Sequence, residues 1–127
     1  MNSSNNFDRR SWGEEHEELA LNYLLEKDYR LVKKNFRLGR AGEIDIIMRD
    51  GELWVFVEVK ARRNHTFGLP EDAVTESKRR QIKRIAKGFL HIMELKEYEA
   101  RFDVVAVDYV TGREGRPEIR HHVDAFR

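Results

Sequence analysis

The sequence predicts an α/β domain with the element order α, three β, α, β, β and a mixed central sheet flanked by helices. Three observations predict it. Two segments repeat apolar residues at helical spacing. Between them lie three β-rich runs, two of which flank the hairpin signal Asp50-Gly51. A further pair of strand-like runs follows the second helical segment. The 127 residues suit one domain. Residues 11–127 therefore read as a single unit, and the Asn- and Ser-rich stretch 1–10 as a disordered tail.

The first helix is expected from Trp12 to about Lys27, with Ser11 as N-cap and Glu14 as its capping-box partner. Glu14, Glu15, Glu17 and Glu18 suit the positive end of the helix dipole. Positions 17, 20, 21 and 24 share one helical face, so Glu17 lies on the same stripe as Ala20, Leu21 and Leu24. Residues 29–38, 43–49 and 53–60 read as strands, and the Gly-, His- and Pro-containing stretch 62–72 as a loop. A second helix is expected over about 72–95. Its apolar face holds Val74, Ile82, Ile85, Ala86, Phe89, Leu90 and Met93, and its other face holds Lys78, Arg79, Arg80, Lys83, Arg84 and Lys87. Residues 102–110 form the next strand, closed by Thr111-Gly112 and Gly115-Arg116-Pro117, and a short last strand covers 118–123.

Composition narrows the chemistry. With no cysteine, thiol catalysis, zinc–thiolate sites and disulfides are excluded, and a reducing cytoplasm is the expected location. No apolar run approaches the ~18 residues of a membrane span, and the N-terminus lacks the apolar core of a signal peptide. The net charge of +1 says little; the uneven placement of the charges says more.

The stretch from Gly42 to Lys60, GEIDIIMRDGELWVFVEVK, concentrates the candidate chemistry. Strand alternation puts Trp54, Phe56, Glu58 and Lys60 on one face, and Glu43, Asp45 and Ile47 on one face of the preceding strand. A two-residue turn at Asp50-Gly51 would pair Arg49 with Glu52, Asp45 with Phe56 and Glu43 with Glu58, leaving Asp45 and Glu58 as diagonal neighbours about 7–8 Å apart. The second strand is apolar on both faces until Glu58, the pattern of a strand buried on both sides. An acid and an amine at its end are costly unless paired or bound to an ion. Oxygen ligands without cysteine favour magnesium or manganese. On the hairpin alone, cross-strand ion pairs on a wet face account for Glu43, Glu58 and Lys60 equally well. Glu43 facing Glu58 would need a cation between the strands, an arginine partner, or a side chain turned away.

Gly-Glu-Ile-Asp at 42–45, Phe-Val-Glu-Val-Lys at 56–60, Phe67-Gly68 and Arg101-Phe102-Asp103 together resemble the bacterial YraN-like family. That family is grouped with archaeal Holliday junction resolvases and the PD-(D/E)XK nucleases. The resemblance spans residues 10–110 and implies a restriction-endonuclease-like αβββαβ core in a single nuclease-like domain. Its first motif resembles Gly-x-x-Gly-Glu-x-x-Ala-x-x-Tyr-Leu. Gly13, Glu17, Ala20, Tyr23 and Leu24 fit, and His16 stands where the second glycine is usual. The resemblance thus favours Glu17 over Glu14 as the first-helix acid. Ile44-Asp45 replaces the superfamily's Pro-Asp.

Carried over, the resemblance implies metal-dependent hydrolysis of DNA, including branched or damaged DNA. Asp45 and Glu58 would be ligands of Mg2+ or Mn2+, with the Val59 carbonyl as a third oxygen. Lys60 would orient or deprotonate the attacking water, and Glu17 would hold a metal water or a second ion. Arg62, Arg63, Lys78, Arg79 and Lys83 are the candidate DNA contacts, and resolvase relatives imply a homodimer. Arg101 and Asp103 read as an ion pair anchoring the last core strand, Trp54 and Phe56 as core, and no histidine is assigned a role. Two other functions remain open: a non-catalytic nucleic-acid-binding module with this fold, and a protein-interaction domain. Steep loss of affinity with salt separates a phosphate binder from a packing interface.

Overall fold

Hydrophobic alternation along the hairpin and the two amphipathic segments assemble into one five-stranded sheet with a helix on each face. A computed structural model describes residues 4–127, with side chains from Trp12 onward. The elements are α1 (Ser4–Glu26), β1 (Arg30–Arg37), β2 (Glu43–Asp50), β3 (Leu53–Arg62), a 3-10 turn (Pro70–Ala73), α2 (Glu76–Ile92), β4 (Ala100–Arg113) and β5 (Arg116–Phe126). The sheet order is β1-β2-β3-β4-β5. Only β3 and β4 pair in parallel; every other pair is antiparallel. This is the mixed sheet of the expected restriction-endonuclease-like αβββαβ core, with β5 added at one edge.

Two layers of core separate cleanly. Trp54 and Phe56 of β3 pack with Ile82, Ile85, Phe89 and Leu90 of α2. Val55, Val57 and Val59 face Ala20, Leu21 and Leu24 of α1. Trp54 and Phe56 are thus core, as expected. β3 is buried on both faces because it is the middle strand, covered by α1 and α2 together.

Several boundaries differ from expectation. The helix α1 extends N-terminally past Ser11, which therefore does not cap it; a cap worth about 1 kcal/mol does not stop a helix whose next residues tolerate helical backbone. Of the tail expected over 1–10, residues 1–3 lie outside the described residues and residues 4–10 belong to α1. The second helix is shorter than 72–95, because Pro70–Ala73 form a separate turn and Thr75 caps α2 by accepting from the Lys78 N–H at 3.2 Å. β4 runs on through Thr111-Gly112, with an irregularity in its pairing to β5 between Asp108 and Arg113. The reversal is at Glu114 and Gly115, both at positive φ (54° and 74°), as a tight hairpin turn demands.

The hairpin register also differs. Asp50 pairs with Leu53, Met48 with Val55 and Ile46 with Val57, so Gly51-Glu52 are the corner residues. Gly51 at φ 61° takes the first corner position, where a II′ turn prefers glycine. The shift is two residues, which preserves every facing relation but changes every partner. Beyond the last pair, Ile46–Val57, the Asp45 and Glu58 carboxyls are neighbours, and the Glu43–Glu58 conflict is removed. Glu43 pairs instead with Arg37 across β1–β2, their charged ends 3.8 Å apart. Among the described residues no helix is long and apolar enough to cross a membrane.

Candidate active site

Asp45 sits where β2 and β3 part. The β2–β3 ladder ends at Ile46–Val57, and beyond it the Asp45 Oδ2 accepts a hydrogen bond from the Val59 N–H at 2.8 Å. A side chain thus takes over from the backbone at the fork. Strand alternation breaks here too: Ile46 belongs to the α1-side core, yet Ile44, two residues on, packs with the α2-side core. Opposite the break, Asn35 adopts φ 51°, a left-handed conformation that asparagine tolerates. Its Nδ2 donates to Glu17 Oε1 at 2.8 Å, tying α1 to the fork.

Glu58 is 3% exposed. Its Oε2 has no hydrogen-bond partner, and the Lys78 ammonium of α2 lies 3.4 Å away. Burial first, and then the neighbouring Glu58 carboxyl, push the Asp45 carboxyl up to about 8. Lys60 acts in the other direction, its positive charge lowering the Asp45 value. Burial also raises Glu17, opposed by the Asn35 hydrogen bond and reinforced by the charges of Asp45 and Glu43. Asp45, Glu58, Lys60 and Glu17 therefore share one electrostatic neighbourhood, which Lys78 joins from the opposite helix. Glu14 is exposed, so Glu17 is the better-placed first-helix acid.

The loop entering β2 is shaped by contact with α2. Gln81 Nε2 donates to the Ala41 carbonyl at 2.8 Å. Gly42 has φ 123°, and a Cβ there would lie 2.3 Å from Gln81 Nε2. Only glycine allows this approach.

Two carboxylates sharing a partly dry site, one bearing an oxygen without a hydrogen bond, form a donor set suited to a hard divalent cation. Among the described residues no three His, Cys, Asp or Glu side chains converge as a complete ligand cage. Mg2+ does not need one: one or two carboxylates with water and substrate phosphate oxygens suffice. The set fits Mg2+ or Mn2+ bound by Asp45 and Glu58, with the Val59 carbonyl on the same strand segment.

Not every candidate DNA contact faces this fork. Arg62, at the end of β3, donates to the Ala61 carbonyl at 2.9 Å. The Arg63 guanidinium stacks over Trp12 at 3.7 Å. Lys78 faces Glu58. Arg79 instead donates to the Val74 carbonyl at 3.2 Å and lies 5.5 Å over the Phe126 ring. Lys83 bonds the Arg127 carbonyl. Arg79 is thus held by the turn before α2 and by the ring of Phe126, and Lys83 by the carbonyl of Arg127, partners that a helical wheel does not reveal.

Three of the histidines, unassigned from sequence, bond buried or half-buried acids. His121 Nε2 bonds Asp103 at 2.7 Å, and Arg101 donates twice to the same carboxylate and once to the Tyr29 hydroxyl. The anchoring pair Arg101–Asp103 is therefore present, and larger than expected. Burial alone would raise Asp103, but hydrogen bonds from His121 and Arg101 outweigh it and hold it below the usual carboxylate range. A second network joins Arg120 to Glu71 and Asp108, each at 2.8 Å; His65 bonds Asp108 at 2.8 Å and His122 bonds Glu71 at 2.7 Å. The Arg120 bonds lead in holding Glu71 down to about 2. The available signal was parity: His121 and His122, adjacent on a strand, reach different acids. His16 is buried against Trp12 and Tyr109, and burial followed by Arg63 lowers it to about 4.

Comparison with known proteins adds a lineage. A family model described as "Uncharacterised protein family UPF0102" matches residues 16–107. A "UPF0102 protein" of Geotalea uraniireducens is 45% identical over 126 residues, covering 99% of this chain and 97% of that protein. One of Syntrophus aciditrophicus is 50% identical over 91 residues, 72% of this chain and 71% of its own length. One of Geobacter sulfurreducens is 44% identical over 110 residues, 87% and 84% of the two chains.

Proposed function

This chain belongs to the uncharacterised protein family UPF0102, and we propose that Glu17, Asp45, Glu58 and Lys60 form a metal-dependent nuclease site that hydrolyses DNA phosphodiester bonds. The observation that carries this reading is the neighbouring Asp45–Glu58 pair at the open end of the hairpin. Burial and the Glu58 carboxyl raise the cost of ionising Asp45, and a lysine stands two residues after Glu58 on the same face. The YraN-like resemblance and the αβββαβ core support it.

Asp45, Glu58 and the Val59 carbonyl would hold Mg2+ or Mn2+. Such an ion, when bound, polarises a phosphoryl oxygen and lowers the pKa of bound water. The chain's own groups do the rest. Lys60, a compact ammonium, orients the attacking water and steadies charge developing at phosphorus. Glu17, held by Asn35, accepts a hydrogen bond from water at the α1 side of the fork. The Val59 N–H fixes Asp45, so that carboxyl is oriented before substrate arrives. A cytoplasmic protein acting as a homodimer on branched or damaged DNA completes the proposal.

A second reading rests on Lys78. Its ammonium gives Glu58 an internal counter-charge at 3.4 Å, so the pair can persist without any ion, as in a DNA-binding module that does not turn over. One experiment separates the two: cleavage of nicked, branched and single-stranded DNA with and without manganese, for the parent, Asp45→Asn, Glu58→Gln and Lys60→Ala. The nuclease reading expects manganese-dependent cutting lost in all three variants. Cutting that survives them, or its absence from the parent together with a lack of manganese binding in calorimetry, overturns it.

A further inference from the structure

Phe67 is 88% exposed, the most exposed large apolar side chain among those described. A lone exposed phenylalanine is unremarkable on a floppy loop, but this one stands on a pinned turn. The Gly68 N–H donates to the His65 carbonyl at 3.1 Å, closing a four-residue turn with Thr66 and Phe67 at its corners. His65 is tied to Asp108 at 2.8 Å, and the Thr66 N–H donates to Asn64 Oδ1 at 3.0 Å. On the far side the Leu69 N–H donates to Asp72 Oδ2 at 2.9 Å. Arg120 joins Asp108 to Glu71, so the near end of the turn rests on a charged network, while the far end is held by Asp72, the residue after Glu71.

The turn belongs to the loop that continues β3 beyond Glu58 and Lys60. Between the acidic pair and Phe67 come Arg62 and Arg63, and the Arg63 guanidinium lies 3.7 Å from the centre of the Trp12 ring. After the acidic pair the chain offers, in sequence order, a lysine, two arginines and an exposed aromatic ring on a hydrogen-bonded turn. Cations meet phosphates and a bare ring meets a base face, which is how proteins hold nucleic acid whose bases are unstacked. In continuous duplex a base face is covered by its neighbours, so the ring finds a partner only where stacking is interrupted.

Building on the nuclease reading above, we propose that Phe67 stacks on an unpaired base of bound DNA, so that the protein selects DNA with a gap, flap or junction. Fluorescence anisotropy in EDTA at fixed salt tests this, using a labelled intact duplex and the same duplex with a short single-stranded gap. The parent is expected to bind the gapped duplex more tightly. Phe67→Ala should weaken that binding by about 5- to 150-fold, the range for loss of one base stack, with intact-duplex binding and the salt slope unchanged because no phosphate contact is lost. Phe67→Trp should restore it. If the parent binds the gapped duplex and Phe67→Ala binds it equally well, the Phe67 inference is overturned while the DNA reading stands. If the parent binds neither DNA, the DNA reading falls and the role of Phe67 falls with it.

Discussion

Replacing Asp45 by Asn should make the metal-free protein more stable, by an amount that grows with pH. In the fold the Asp45 carboxyl is pushed up to about 8 by burial and then by Glu58, against an ordinary value of 3.8. The sign follows from that direction. A carboxyl raised on folding contributes its full stability below the unfolded value, and the contribution is lost as pH climbs through the folded value. Each pH unit in that window is worth about 1.4 kcal/mol, so from pH 5 to pH 8 the parent loses on the order of 4 kcal/mol through this group. Asparagine does not titrate. Its Oδ1 can still accept from the Val59 N–H, and its Nδ2 can donate to Glu58. Water at the half-buried fork screens part of the effect, so a relative gain of at least about 4 °C, or ~1 kcal/mol, is the expected floor. The assay is thermal unfolding by circular dichroism in EDTA at pH 5, 6.5 and 8, read as variant minus parent so that other titrating groups cancel. A difference that stays flat or shrinks with rising pH would refute the claim that burial and Glu58 hold the Asp45 carboxyl up.

Lys78→Met should tighten manganese binding by about tenfold, ~1.4 kcal/mol, because an ammonium 3.4 Å from Glu58 repels an incoming cation; calorimetry showing weaker binding would mean that the lysine helps to assemble the site. Asp103→Ala strands Arg101 and His121 in a buried setting, at a cost of about 3–5 kcal/mol in urea unfolding; a loss under 1 kcal/mol would show that water replaces the carboxylate freely. Gly42→Ala drives a methyl to 2.3 Å from Gln81 Nε2 at a φ of 123°, costing about 1–3 kcal/mol. Unchanged stability there would mean that Gln81 swings away without penalty. The double variant with Gln81→Ala should recover the steric part and leave the backbone part.

Local pattern carried much of the fold. Parity placed Glu58 and Lys60 together at the end of a strand buried on both faces, and the helical stripe placed Glu17 among core residues; both stand in the structure. The hairpin register was not legible, because Asp50-Gly51 and Gly51-Glu52 are both acceptable corners, Gly51 has positive φ in either, and only the extended φ of Asp50, which the sequence does not state, chooses between them. Long-range partners were equally hidden. The Lys78–Glu58 contact spans two elements on different layers, and Arg120–Glu71 joins residues 49 positions apart. No periodicity reports such pairs. The fork at Asp45 was also invisible, since the left-handed Asn35 opposite it on the neighbouring strand β1 leaves no mark in the sequence pattern.

The parallel pairing of β3 with β4 has a consequence for synthesis of the chain on the ribosome. Phe56 lies beside Phe102, forty-six residues later. At roughly 5–20 residues per second, the most apolar strand waits about 2–9 s with one hydrogen-bonding edge open before its neighbour is made. Its other edge is already closed by the β2 hairpin, which forms within microseconds. The nascent protein is thus most exposed to aggregation while α2 is being translated. A fragment ending before Ala100 keeps that edge open permanently and is expected to sediment as aggregate, whereas the whole chain stays dispersed.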